Sequence, residues 1–438
     1  MRSFHFLLGL LGRSSKRFLL RAAGDPARLL SVAAATVVLM AGDPVGQIAY
    51  AHDQPEKSFV ASWAVGHINP RAADVVQYNN QTLREIVRTS VGGDQVRVRI
   101  TNTFGTEALV IGAAHIAVSS SGSKIVPGTD RALTFSGRTS VSIPPGAPVL
   151  SDPVRLDVKP LSDLAVSIYL PNPTKAETST LFQGNSYVSL TSGNHVRAKD
   201  LPGASPVAAW PFLSGVNVTS KKGASIVALA DSATLTSEWP RFLGERLQKH
   251  RSTDDLGVVS VALAGNRVLH NSASPSPAVP DPQWGQSALT RFDRDVLAQA
   301  GVRHVIVFMG LNDIAGPGGF FPPSEAVSVD DIAAGYRQLI ARAHEQGLTI
   351  LGCTLPPLEG NTSLPGFDTP ANEAARVALN HWIRTSGAFD GIVDVDQVLR
   401  DPSHPTRLLP AYDSGDHLHP NTAGGKAIAD SIDLRLFR

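Results

Sequence analysis

Near its C-terminus the chain reads Tyr412-Asp413-Ser414-Gly415-Asp416-His417-Leu418-His419-Pro420-Asn421, then enters a helix-like run from Thr422 to Leu434. Asp416 and His419, three positions apart in a tight loop, are the pairing that a general base and its orienting carboxylate need. Alone, such a pair is more often a turn carboxylate beside a solvated imidazole. Three upstream stretches alter that reading, because each supplies a missing part of an acyl-transfer site: Asp231-Ser232, Ala264-Gly265-Asn266 and Gly310-Leu311-Asn312-Asp313. Ser232 is the candidate nucleophile, on a strand-to-helix turn where its hydroxyl can meet base and substrate. Its alternative role is that of a helix N-cap. His419 would take the Ser232 proton and return it to the departing alkoxide, a role that requires the neutral imidazole, with Asp416 fixing the tautomer. Asp413 is the competing acid. His417 and His419 lack a third ligand at the spacing a zinc site needs, and neither metal nor cofactor is implied.

Two textures divide the elements that must position these residues. From Gln95 the pattern alternates, with Val96, Val98 and Ile100 on one face and Arg97, Arg99 and Thr101 on the other, as in a half-buried strand. Similar runs at Leu109–Val118, Val141–Ile143, Val154–Val158 and Leu164–Leu170 are separated by Gly- and Pro-rich turns. This predicts an antiparallel β-sandwich over residues 58–219. Trp63, Tyr78, Tyr169, Tyr187 and Trp210 could stack on sugar rings there, although sandwich aromatics are more often core.

From residue 221 to 438 the runs are continuously apolar: Ser225–Leu229, Val258–Leu263, His304–Met309, Leu348–Leu351 and Gly391–Val395. Helix-period stretches lie between them at Glu238–His250, Ala288–Gln299, Asp330–Glu345 and Asn372–Thr385. Such alternation predicts an α/β domain with a parallel sheet covered on both faces. Functional groups in that architecture gather after the C-terminal ends of strands, which is where Ser232, Gly265 and Asn312 fall.

The order Asp-Ser, Gly-Asn-Arg, Gly-x-Asn-Asp and Asp-x-x-His-Pro, each after its strand or before the last helix, resembles the SGNH hydrolases, also called GDSL esterases and lipases. The resemblance spans essentially the whole second domain. With the sandwich and the Ala264–Leu269 stretch, it looks like the exported bacterial subgroup that carries an N-terminal β-domain. It implies a flavodoxin-like three-layer α/β/α fold and a serine carboxylic-ester hydrolase. It also implies an oxyanion hole of the Ser232 and Gly265 backbone N–H groups and the Asn312 side-chain amide, and a substrate class of small acyl groups, acetate among them, on carbohydrates. Gly265 suits close backbone approach, though it could be an ordinary turn glycine. Asn312 could instead cap a loop, and Asp313 is expected to hold its loop by hydrogen bonds.

The first block departs from the family pattern: Ala230 stands where glycine is usual, Ala233 where a bulky aliphatic is usual, and the Leu235–Pro240 loop is short. Substrate preference should respond to that loop. The insert Ala315–Ser324, with Phe320 and Phe321, is expected to form a lid whose deletion alters preference more than stability. Competing functions are a lipase, thioesterase or acyltransferase with the same triad, and a carbohydrate- or envelope-binding protein with weakened catalysis.

Composition limits partners and compartment. A net charge of +1 in 438 residues, with no long basic run after the first segment, argues against nucleic acid. The single cysteine, Cys353, rules out an intramolecular disulfide and sits in a strand-like setting that suggests an inert buried thiol. Residues 1–51 combine basic residues, a short apolar run from Leu29 to Ala41 and Ala49-Tyr50-Ala51. These are the parts of a signal peptide cleaved near Ala51, which predicts export to the periplasm or medium. The apolar run is short for a bilayer span, so no stable membrane span is expected after cleavage.

Overall fold

The computed structural model describes residues 58–180, 183–272 and 284–437. The signal-peptide expectation, residues 1–51, therefore lies outside the described residues.

The alternating segment around Val96 forms the strand Gly93–Thr101, with Val96, Val98 and Ile100 fully buried. It lies in a five-stranded sheet with Ser58–Ala64, Leu213–Ser220, Pro148–Leu150 and Val154–Val158. A seven-stranded sheet is built around Gln81–Arg88, Asp163–Leu170 and Ala113–Ser121. Pairing within both sheets is antiparallel. Residues of both share one apolar core, Val98 and Val216 from the first meeting Leu83, Val166 and Ile116 from the second. The Leu109–Val118 run is two strands and not one. Leu109–Ile111 pairs with Val141–Ile143, and after Gly112 the chain joins the larger sheet as Ala113–Ser121.

Beyond Gly223 the chain builds a five-stranded parallel sheet in the order Leu256–Ser260, Ala224–Ala230, Val302–Phe308, Thr349–Cys353, Gly391–Val393. Counted along this domain the order is 2-1-3-4-5, that of a flavodoxin-like doubly wound sheet. All seven residues of Ala224–Ala230 are buried, as strands covered on both faces must be. Its alternate side chains go to different cores. Val227 and Leu229 join Ile332, Tyr336 and Leu379 from the helices Val329–Glu345 and Pro370–Thr385. Ile226, Ala228 and Ala230 join Trp239, Leu243 and Ile428 from Trp239–Leu247 and Thr422–Ser431. Cys353 is buried in the fourth strand, and burial pushes its thiol well above the usual range, which makes it unreactive.

The described residues fall within one compact unit. The antiparallel region abuts the parallel sheet through Ser225, whose hydroxyl accepts from the Ala61 N–H at 2.8 Å, and Ser90, whose hydroxyl accepts from the Val258 N–H at 2.9 Å. Among the described residues no helix is long and apolar enough to cross a membrane.

The Ala315–Ser324 insert is bound into the protein more firmly than a lid would be. Phe320 and Phe321 are buried members of the core, and the Arg267 guanidinium lies 3.7 Å from the Phe321 ring centroid while pairing with Glu325 at 2.7 Å. Phe321→Ala is therefore expected to lower stability by about 3–5 kcal/mol in chemical denaturation, against a small effect if the insert were a detachable cover.

Candidate functional site

Ser232 opens the short helix Ser232–Ser237 directly after the first parallel strand. The N-cap is Asp231, whose carboxylate accepts from the Ala233 N–H at 3.1 Å, so Ser232 is not the capping residue. Its Oγ lies 2.9 Å from His419 Nε2, and His419 Nδ1 lies 2.6 Å from Asp416 Oδ2. With Asp416 ionised, Nδ1 carries the proton and Nε2 is left to accept from the serine hydroxyl.

Asp416 is held by more than the imidazole. Its Oδ1 accepts from the His419 and Leu418 N–H groups at 2.9 and 3.0 Å and from Ser414 Oγ at 2.9 Å, while Ser363 Oγ donates to Oδ2 at 3.0 Å. Partial burial alone would raise its pKa, but the hydrogen bonds from the His419 ring and N–H prevail and hold it well below the usual carboxylate range. Asp413 serves a different imidazole, its Oδ2 lying 2.5 Å from His417 Nδ1. His417 has a φ of 59°, a left-handed conformation uncommon for histidine, and Asp413 also accepts its N–H at 3.0 Å.

The loop is tied to the last helix by Asn421, whose side chain caps it at the Gly424 N–H and donates to the Ala411 and Asp413 carbonyls. That helix packs closely on the one carrying Ser232. A Cβ at Gly425 would stand 1.8 Å from the Ser237 carbonyl oxygen, so only glycine permits the approach that brings His419 to Ser232.

Gly265 follows the second strand with a φ of 61°, and a Cβ there would meet the Trp284 indole at 2.7 Å. Both the backbone conformation and the packed ring require glycine. Asn266 braces this loop, donating to the Trp284 and Gln286 carbonyls at 2.7 and 2.9 Å and accepting from Arg291 Nε at 3.1 Å. Arg291 is fully buried and also donates to the Val261 carbonyl at 2.6 Å and Asp295 at 3.2 Å. Burial lowers its pKa to about 10 despite Asp295, leaving it a cation at neutral pH.

Asn312 follows the third strand, and its Nδ2 donates to Asp231 Oδ2 at 3.1 Å and to the Asn266 carbonyl at 3.2 Å. The amide is thereby aimed by the first and second loops together. Asp313 accepts from the Val268 and Leu269 N–H groups at 2.8 to 3.1 Å, fixing the second loop against the third. Burial raises the pKa of Asp231 to about 7 and that of Asp313 to about 6, the backbone hydrogen bonds only partly opposing it.

Ser232, Gly265, Asn312 and His419 line one cleft of about 300 Å³, walled by Leu235, Thr236, Trp284, Phe320 and Leu364. This arrangement can activate a hydroxyl and present N–H donors to a neighbouring carbonyl oxygen. Leu235 and Thr236, read from the sequence as part of a short loop, instead belong to the helix Ser232–Ser237, whose side forms one wall of the cleft. Among the described residues no group of three or more His, Cys, Asp or Glu is arranged to hold a metal ion.

Residues 223–427 match the model of the GDSL-like lipase/acylhydrolase family. The α/β domain belongs to that family. The chain is accordingly an ester-hydrolysing enzyme. Solved structures similar to the chain include a putative lipolytic protein of the G-D-S-L family from Desulfitobacterium hafniense, 18% identical with a TM-score of 0.34, covering 48% of this chain and 97% of that one. Another is the acetylxylan esterase Axe2 from Geobacillus stearothermophilus, 19% identical with a TM-score of 0.35, covering 49% of this chain and 93% of that one. A GDSL-like lipase from Bacteroides thetaiotaomicron is 18% identical with a TM-score of 0.35, covering 49% of this chain and 87% of that one. No match was found among curated proteins.

Trp284, Arg291, Ser363 and Ser414 are the site-supporting residues that reasoning from sequence missed. Ser414 lay within the C-terminal loop, where its proximity to Asp416 was a usable signal. The other three carried none.

Proposed function

We propose that this acylhydrolase is an exported serine esterase that removes short acyl groups, acetate above all, from carbohydrates. The observation that carries the reading is the unbroken chain from Ser232 Oγ through the His419 ring to Asp416, at 2.9 and 2.6 Å. Ser232 Oγ attacks the ester carbonyl carbon as its proton passes to His419 Nε2, and the carbonyl π pair moves onto oxygen. The resulting oxyanion is met by the Ser232 and Gly265 N–H groups and the Asn312 amide. As the intermediate collapses, the C–O bond to the alcohol breaks and His419 returns the proton to the departing oxygen. Water then attacks the acyl-serine carbon as the same imidazole takes its proton; on collapse the C–O bond to Ser232 breaks and His419 returns the proton to Oγ, leaving the acid and the free enzyme.

Asn312 is an oxyanion donor whose two N–H bonds already point at Asp231 and the Asn266 carbonyl, so the developing charge draws one of them away. Asn312→Ala is expected to lower kcat/KM about 10²- to 10³-fold, with the loss in kcat, measured on p-nitrophenyl acetate. An unchanged kcat would remove this residue from the oxyanion hole.

Export rests on the basic-then-apolar leader before residue 52, and mass spectrometry of the secreted chain tests it by the new N-terminus. A second reading, with longer acyl chains, is favoured by the apolar walls Leu235, Trp284, Phe320 and Leu364. Rates of the mature enzyme and of Ser232→Ala on acetylated xylo-oligosaccharides and on p-nitrophenyl esters of rising chain length decide between the two. Ser232-dependent release of acetate, falling with chain length, supports the esterase. Rates rising towards octanoate support the lipase, and absence of Ser232-dependent turnover contradicts both.

A further inference from the structure

Beside the Ser232 cleft lies a second cavity, of about 430 Å³, between the antiparallel region and the parallel sheet. It is within the roughly 300–1,000 Å³ of small-ligand sites. Two indoles from the antiparallel region are among its lining residues. Trp63 and Trp210 meet edge to face with ring centroids 5.2 Å apart. Trp210 is fixed, its Nε1 donating to the Ile86 carbonyl at 3.0 Å and its own N–H to Thr180 Oγ1 at 2.9 Å. Trp63 stands at a register shift in its strand, between Ala61 and Trp63, a kind of irregularity that re-aims a side chain.

Charged groups complete the lining. Arg88, from the antiparallel region, is about half exposed and pairs with an equally exposed Asp163, while Glu238 and Arg241 form a partly exposed pair on the opposite side. Glu238 holds a left-handed φ of 53° between the helix that begins at Ser232 and the next. Leu235, one turn along that first helix, lines both this cavity and the Ser232 cleft. The two cavities therefore share a wall at Leu235.

We infer that this cavity is a saccharide-binding subsite that takes a sugar unit of the substrate remote from the ester. A pyranose has C–H faces that pack on indoles and equatorial hydroxyls that reach charged side chains. An acyl chain would cover Arg88, Glu238 and Arg241 without hydrogen-bonding them, at a desolvation cost. The inference deepens the carbohydrate-ester reading and rests on it for the sugar's connection to the cleft, but binding of the sugar itself is measurable separately.

The experiment uses the mature Ser232→Ala chain, which cannot turn over, titrated calorimetrically with unacylated xylotetraose and with cellotetraose. Saturable one-to-one binding of at least one of them is expected. It should weaken about tenfold in Arg88→Ala and in Trp63→Phe, checked for unchanged melting temperature. Arg88 is a half-exposed residue, so its variant keeps the test informative if the tryptophan variant folds poorly. No heat with either saccharide, or binding that both variants retain, overturns the subsite. With Ser232 restored, Arg88→Ala should lower the ratio of kcat/KM for acetylated xylotetraose to that for p-nitrophenyl acetate about tenfold. A fall instead in the ratio for p-nitrophenyl octanoate over acetate marks an acyl channel and also overturns it. Saccharide binding without Ser232-dependent hydrolysis sinks the proposed reaction and leaves the subsite standing.

Discussion

His419→Ala is expected to lower kcat on p-nitrophenyl acetate roughly 10⁵- to 10⁶-fold while leaving KM within a few fold. Among the described residues the imidazole is the group placed to take the Ser232 proton, with Nε2 2.9 Å from the hydroxyl. Without it a neutral serine must attack and a neutral water must deacylate the enzyme, since p-nitrophenoxide itself leaves without a proton donor. The defect should not add to that of Ser232→Ala, because groups that act as a unit lose most of their effect when either is removed. Steady-state kinetics on both single variants and the double variant checks this. Additive losses would mean that the two side chains act separately.

Asp416→Asn is expected to reduce kcat by about 10⁴-fold, although it removes only one charge and no volume. An amide can present its NH₂ to Nδ1, which puts the ring proton on Nε2 and leaves nothing to accept from Ser232. The same substitution gives a pH signature. Asp416 is held below the usual carboxylate range in the folded chain, so its contribution to stability is complete above about pH 4, the ordinary carboxylate value. That contribution is lost progressively as pH falls from there through the lower folded value. Denaturation midpoints of wild type and variant should therefore differ at pH 7 and converge as pH is lowered below about 4. A gap that opened on acidification would contradict the assigned direction.

The parallel sheet and its covering helices were legible because long periodic segments carry their own signal. Apolar runs such as Ser225–Leu229 have no polar face to offer solvent, and Asp330–Glu345 repeats its apolar positions at helical spacing. Ends and breaks were less visible. The Leu109–Val118 run is apolar almost throughout, and Gly112, where it changes sheets, was a local break signal that its continuity masked. Likewise Ala288–Gln299 keeps one periodicity, yet it passes from α-helix over Ala288–Phe292 to a π-helical turn over Asp293–Leu297.

The residues that place the candidate chemistry were harder still, because their partners are distant in sequence. Asn312 is aimed by Asp231, 81 positions earlier, and Arg291 reaches back 25 positions to Asn266. Gly265 suggested close approach to a substrate, whereas the ring of Trp284 occupies the space beside it. Phe320 and Phe321 read as lid residues because glycine and proline flank them, and only their burial shows that they belong to the core.

One measurement bears on the whole arrangement: reaction of the mature chain with a fluorophosphonate, followed by mass spectrometry of its peptides. The expected result is a single phosphonylated residue, Ser232, formed stoichiometrically and at least a thousandfold more slowly in His419→Ala, on the order of the loss expected for a unit without its base. Label on another residue, or rapid labelling of Ser232 that ignores the loss of the imidazole, would contradict a site in which these loops converge on one carbonyl carbon.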